Sequence, residues 1–130
     1  MPLSLPSLIY VVDDDPAVLH STCFLLESAG HRVAAFASGE ALLTAFPGPS
    51  PAFVLLDQVM PGMDGIEVFG RLRDLDARVP VILITGHPNP SIRTRAREVG
   101  IALVEKPLAL EDLPGLIAAA GKRSGAAMAG

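Results

Sequence analysis

The chain reads as an α/β protein with a parallel sheet of five strands and helices on both faces, and three observations predict this. Short apolar runs alternate with helical patterns from end to end, the mark of repeated strand-helix units. The runs are continuous and bounded by turn residues, as buried strands are. Four of them end on a polar residue: Leu8–Val12 lead into Asp13 and Asp14, Ala52–Leu56 into Asp57, Val81–Ile84 into Thr85, and Ile101–Val104 into Glu105 and Lys106. In an open parallel sheet the C-terminal strand ends face one crevice, where ligands bind. Such a sheet would gather three carboxylates, a hydroxyl and an ammonium along one edge.

Taken in order, strands are expected near residues 8–12, 32–36, 52–56, 80–84 and 101–104. Asp15 supplies an N-cap and Pro16 a first-turn proline for a helix to about Ala29, where Gly30 stops it. Ser38-Gly39-Glu40 open a second helix, ended by Pro47-Gly48-Pro49. Asp64-Gly65 begin a third that runs to about Arg73, with Ile66, Val68, Phe69 and Leu72 forming one buried stripe. A fourth follows Pro90, with Ser91 as its cap, and ends before Gly100. The fifth starts near Leu110 and fades into a small, polar stretch. Residues 121–130 are therefore expected to be a flexible tail and residues 1–120 the folded unit. No internal repeat and no linker to a second domain is visible.

At 130 residues the chain fits one domain with a real core. A formal charge of -4 argues against a nucleic-acid-binding surface, which needs a basic patch to neutralise phosphates. Arg93, Arg95 and Arg97 form the densest basic stretch, but on a helix 93 and 97 share a face while 95 points elsewhere. A solvated helix surface is the simpler account. Cys23 is the single cysteine, which excludes an intrachain disulfide and fits a reducing cytoplasm. No apolar stretch approaches a membrane-spanning length, and the N-terminus lacks the pattern of a secretory signal.

Adjacent carboxylates at one strand end, with a third at another, repel if all are ionised and dry. A divalent cation removes the difficulty. Mg²⁺ prefers hard oxygen ligands and keeps several waters, so a partly exposed aspartate cluster suits it, with Mn²⁺ as a substitute. His87 and Cys23 have no zinc-ligand spacing with any partner. A carboxylate oxygen can attack a phosphoryl group if the charge on the equatorial oxygens is stabilised. Lys106 is the natural counter-charge, Thr85 can donate a hydroxyl hydrogen bond, and Gly86 lets backbone N–H groups approach a phosphate.

With these residues in place the chain resembles the receiver domain of bacterial two-component response regulators over about residues 7–119, most closely receivers of the nitrogen-fixation regulator type. The motifs are Val11-Val12-Asp13-Asp14, then Leu56-Asp57 followed by Met60-Pro61-Gly62-Met63-Asp64-Gly65, then Ile84-Thr85-Gly86-His87, and Glu105-Lys106-Pro107. The resemblance implies a flavodoxin-like sheet with strand order 2-1-3-4-5. It implies that Asp57 is the phosphoacceptor, Asp14 a direct Mg²⁺ ligand, Asp13 a ligand acting largely through water, and the backbone carbonyl of Val59 a further ligand. Lys106 would bind the phosphoryl oxygens, with a cis bond to Pro107, and Thr85 would move toward them after phosphorylation. The implied partner is a histidine kinase or phosphotransfer protein, with an output partner or domain the sequence does not name, and a phosphorylation-dependent homodimer is compatible. Such a chain is a signalling phosphoacceptor in the cytoplasm rather than an enzyme. Val18, Leu25, Leu26 and Ala29 fit an inward stripe on the first helix, leaving Pro16, Leu19, His20 and Cys23 as an outer face on which a kinase could dock.

One position departs from the family pattern: Leu103 stands three residues before the lysine, where receivers usually carry Tyr or Phe. This keeps open a receiver-like interaction domain that is never phosphorylated. Haloacid-dehalogenase-like phosphatases also use an aspartate after an apolar strand, but need an acidic residue two positions later, where this chain has Val59. A nucleotide- or flavin-binding module would carry a Gly-, Ser- or Thr-rich cradle after its first strand. Asp13-Asp14-Asp15-Pro16 stand there instead.

Overall fold

Each of the five apolar runs forms a strand in the computed structural model, which describes residues 8–45, 53–75, 79–86 and 89–105. The order is β1 (Leu8–Val12), α1 (Pro16–Ser28), β2 (Arg32–Phe36), α2 (Gly39–Thr44), β3 (Phe53–Asp57), α3 (Gly65–Asp74), β4 (Val81–Thr85), α4 (Pro90–Val99) and β5 (Ala102–Glu105). All four pairings are parallel, and the sheet order is β2-β1-β3-β4-β5. The expected 2-1-3-4-5 order is therefore observed.

Strand periodicity divides the core into two layers, because successive side chains point to opposite faces. Tyr10, Val12, Val54, Leu56, Val81 and Leu83 join Leu42 of α2, Val68 and Leu72 of α3 and Ala96 of α4. Ile9, Val11, Phe53, Leu55, Ile82 and Ile84 face the other way, onto Leu26 of α1. The two central strands, β3 and β4, are buried at every residue, which is why their sequences are apolar throughout.

Helix starts follow their capping residues. Asp15 accepts from the Ala17 and Val18 N–H groups, with Pro16 in the first turn of α1, and Ser38 accepts from Ala41 N–H at α2. Asp64 and Glu67 complete a reciprocal capping box at α3. The fourth helix corrects the expected cap. Asn89, not Ser91, occupies it, its Oδ1 accepting from Ile92 N–H at 2.9 Å, because Pro90 lacks an N–H and fits the first helical position. Gly100, at φ +77°, ends α4 in the left-handed region that glycine adopts freely.

Three strands sit one residue further along than expected, so Asp57, Thr85 and Glu105 are last strand residues rather than first loop residues. A further correction concerns α1. Leu19 and Cys23 pack against the sheet with Leu26, while Ala29 is exposed. Val18 and Leu25 do face the sheet, lining a cavity of about 480 Å³ beside β1, β3 and β4. The stripe 19, 23, 26 is as good a helical repeat as 18, 25, 29, and apolar spacing alone does not choose between them. Of the expected outer face, Pro16 and His20 are exposed, and Phe24 joins them at 67% exposure. The 47–49 helix stop, His87, Lys106 with its bond to Pro107, the fifth helix and the 121–130 tail lie outside the described residues.

Candidate functional site

Sheet register brings the acidic residues together. Val12 pairs with Leu56, so Asp13 comes level with Asp57 one step further on, and Asp57 pairs in turn with Ile84, next to Thr85. Carboxylate oxygens of Asp13, Asp14 and Asp57 lie within 4.8 Å of one another. Asp13 and Asp57 are buried and Asp14 is exposed, so the cluster opens to solvent on one side. Two like charges at such a separation repel by roughly a few kcal/mol at an effective dielectric near 20. A small, hard cation would replace that repulsion with attraction, and an all-oxygen set with one open side suits an ion that keeps waters.

The surrounding backbone holds these groups still. Asp13 N–H donates to the Phe36 carbonyl of β2 at 3.1 Å, and Asp13 Oδ1 accepts from Asp15 N–H at 2.9 Å, fixing the turn into α1. Thr85 is fully buried at the end of β4 and pairs in register with Glu105, the residue before Lys106. Beyond Asp57, Gln58 is also buried. Its N–H donates to the Ile84 carbonyl at 2.9 Å, its carbonyl accepts from Gly65 N–H at 3.0 Å, and its Oε1 accepts from Ile66 N–H at 2.9 Å. The segment from Val59 to Asp64 is thereby a loop closed at its neck, with Met60 in the core and Met63 packed against it, as fillers beneath a tight turn.

Gly65 is needed at that neck. A Cβ there would stand 2.6 Å from Leu83 Cδ2 and 2.8 Å from the Asp57 carbonyl oxygen, closer than real Cβ atoms approach. From sequence Gly65 reads only as a helix start, and Gln58 belongs to none of the motifs. The available signal was a polar residue directly after a buried strand, which needs internal partners.

Two arginines of α4 reach groups that flank the cluster. Arg95 Nη2 lies 3.3 Å from Asp64 Oδ2, and Arg93 Nη2 lies 3.0 Å from Glu105 Oε1. The basic stretch is therefore largely engaged within the chain. Away from the site, burial and then the Glu27 carboxylate push the Cys23 thiol up from its ordinary value.

Comparison with known proteins decides what this arrangement belongs to. The family model of the response regulator receiver domain matches residues 9–118. The chain belongs to the response regulator receiver domain family of two-component systems. Among its relatives, the receiver is 39% identical over 113 residues to the transcriptional regulatory protein FixJ of Bradyrhizobium diazoefficiens, covering 86% of this chain and 55% of that protein. It is 38% identical over 117 residues to the response regulator protein TmoT of Ectopseudomonas mendocina, covering 89% of this chain and 53% of the relative. The receiver thus spans about half the length of these two relatives. The crystal structure of FixJ-N superposes with a TM-score of 0.82 at 30% identity, over 92% of this chain and 96% of that one. The resemblance read from the motifs is borne out.

The receiver's described helices include none long and apolar enough to cross a membrane. Among the site residues expected from sequence, the structure brings Asp13, Asp14 and Asp57 together and places Thr85 one register step away. Val59 follows within the closed loop, its side chain 56% exposed.

Proposed function

We propose that this receiver takes a phosphoryl group onto a carboxylate oxygen of Asp57 from a histidine kinase, a phosphotransfer protein or a small acyl phosphate. The convergence of three carboxylates at the strand ends carries this reading. An Asp57 oxygen attacks phosphorus in line. The P–N bond of a phosphohistidine, or the P–O bond of an acyl phosphate, breaks, and the leaving group keeps the bonding electron pair.

Asp13, Asp14, Asp57 and the Val59 carbonyl would hold a Mg²⁺ or Mn²⁺ ion, which would neutralise the carboxylates and draw charge from the transferring oxygens. Asp13 suits the role of an outer ligand acting through water, since one of its oxygens already accepts from Asp15 N–H. Asp14, exposed, suits direct coordination. Lys106 would contribute a fixed cation for the phosphoryl oxygens, and the buried Thr85 hydroxyl would turn toward them and shift the 86–90 segment. The folded unit would be residues 1–120, working in the cytoplasm and passing the signal to an output partner.

Intact-mass measurement after incubation with an acyl phosphate tests the reading. The expected result is one added phosphoryl group that requires Mg²⁺ or Mn²⁺ and is absent from Asp57→Ala. Equal mass gain by that variant, or in the presence of chelator, would refute it.

A further inference from the structure

We propose that Gln58 is the positioning residue of the cation-binding loop, acting through the first turn of α3 to hold the Val59 carbonyl toward the carboxylates. The proposal rests on the phosphoacceptor reading above and concerns how its loop is kept in shape.

Val59 itself has little to hold it, because its side chain is 56% exposed and contributes no packing anchor. The orientation of its carbonyl is then set by its neighbours in the chain. Met60, 8% exposed, anchors the far side by packing in the core. Gln58, 3% exposed, anchors the near side by hydrogen bonds. Its backbone N–H and carbonyl tie it to β4 and to Gly65, and a change of side chain leaves both bonds in place. Among the described residues, the hydrogen bond that depends on its side chain is the one its Oε1 takes from the Ile66 N–H at 2.9 Å.

That N–H is one of the orphan donors of a helix N-terminus. The Asp64 side chain accepts from Glu67 N–H and the Gln58 carbonyl from Gly65 N–H, which leaves Ile66 N–H to the Gln58 amide. The side chain thus bolts the residue before Val59 to the helix that resumes after the loop, across a span of eight residues. An apolar residue in this buried position would fill the space equally well. It would leave the Ile66 N–H without a partner, and the loop would open there to satisfy it with water.

The test uses Gln58→Met in the full chain, which keeps length and burial while removing the acceptor. Three quantities are read by NMR and mass: exchange of the Ile66 amide, the dissociation constant for Mg²⁺, and phosphoryl uptake at saturating Mg²⁺. A positioning role predicts faster Ile66 exchange, Mg²⁺ binding weakened by about fivefold, the worth of one typical hydrogen bond, and near-parental uptake once the site is saturated. Parental Mg²⁺ affinity in a folded Gln58→Met whose Ile66 amide exchanges faster would overturn the proposal. Should that variant fold poorly, Gln58→Asn, which draws the amide back by one methylene, is measured by the same criteria. If the parent chain neither binds Mg²⁺ nor gains mass, the phosphoacceptor reading itself fails, an outcome distinct from a difference between parent and variant.

Discussion

Replacing Gly65 by alanine should destabilise the protein, whereas the same replacement at Gly70, in the same helix, should not. Glycine to alanine in a helix gains up to about 1 kcal/mol from propensity and from a less flexible unfolded chain. At Gly70 nothing stands within 4 Å of an added Cβ, so that gain is realised. At Gly65 the new methyl would meet Leu83 Cδ2 at 2.6 Å, the Asp57 carbonyl oxygen at 2.8 Å and Gln58 Cα at 3.0 Å. Leu83 can rotate away only within a packed core, and the other two atoms are backbone. Overpacking of this kind costs about 1–3 kcal/mol, which outweighs the propensity term, itself reduced in the first turn. The expected outcome is a net loss of about 1–2 kcal/mol for Gly65→Ala and a gain of about 0.5–1 kcal/mol for Gly70→Ala. In a chain of this size each kcal/mol moves Tm by roughly 3–6 °C. Urea unfolding followed by circular dichroism reads both values, with unchanged m-values confirming that stability alone has moved. A Gly65→Ala protein as stable as the parent would show that α3 does not pack against the Asp57 backbone as described.

Asp64→Ala should lose about 1–2 kcal/mol, since it removes the cap of α3 and the Arg95 contact together, while Asp64→Asn keeps the cap and should lose well under 1 kcal/mol; equal losses in urea titrations would assign the energy to the ion pair instead. Cys23 should react with iodoacetamide more slowly than a free cysteine near neutral pH, because a raised pKa lowers the thiolate fraction, and a rate equal to the free amino acid would contradict its packing against the sheet. Leu103→Ala should lower stability by about 1–3 kcal/mol, since the side chain packs on the first core, yet leave intact the α4 chemical-shift changes caused by a beryllofluoride phosphoryl mimic. If those changes vanish while stability and Mg²⁺ binding hold, Leu103 is itself part of the switch.

The five strands, their alternation with helices and the acidic cluster were legible because they rest on strong local signals: buried runs of one polarity, and carboxylates at their ends; the strand order followed only from the family resemblance. Strand boundaries slipped by one residue for a physical reason. Asp57 and Thr85 still pair in the ladder although their side chains belong to the site, so polarity marks the end of the apolar run and not the end of hydrogen bonding. The choice of Asn89 over Ser91 turns on proline chemistry at one position, and the rotation of α1 on packing that its own spacing leaves undetermined. Gln58 and Gly65 were hidden because their importance lies in a contact across the loop neck between β3 and α3.

The way α4 is held bears on how a phosphoryl group at Asp57 could be felt at the surface without an aromatic at position 103. Ile92 and Ala96 bury one face of the helix and anchor it on the core. Among the described residues its side-chain ion pairs run to Asp64 at the end of the closed loop and to Glu105 beside Lys106, with side chains 25–62% exposed. Exposed pairs of this kind contribute about 0–1 kcal/mol each. They link α4 to both flanks of the acidic cluster only weakly, the helix being held mainly by the burial of Ile92 and Ala96, so a bias of about 1–2 kcal/mol at the site would be comparable to these pairs and would shift the population in which they are formed several-fold. Leu103 packs from the same layer of the core, partly buried. Coupling in this receiver would then travel through the loop neck and the two arginines, with Thr85 biasing the segment between β4 and α4, and the leucine would serve as packing common to both states.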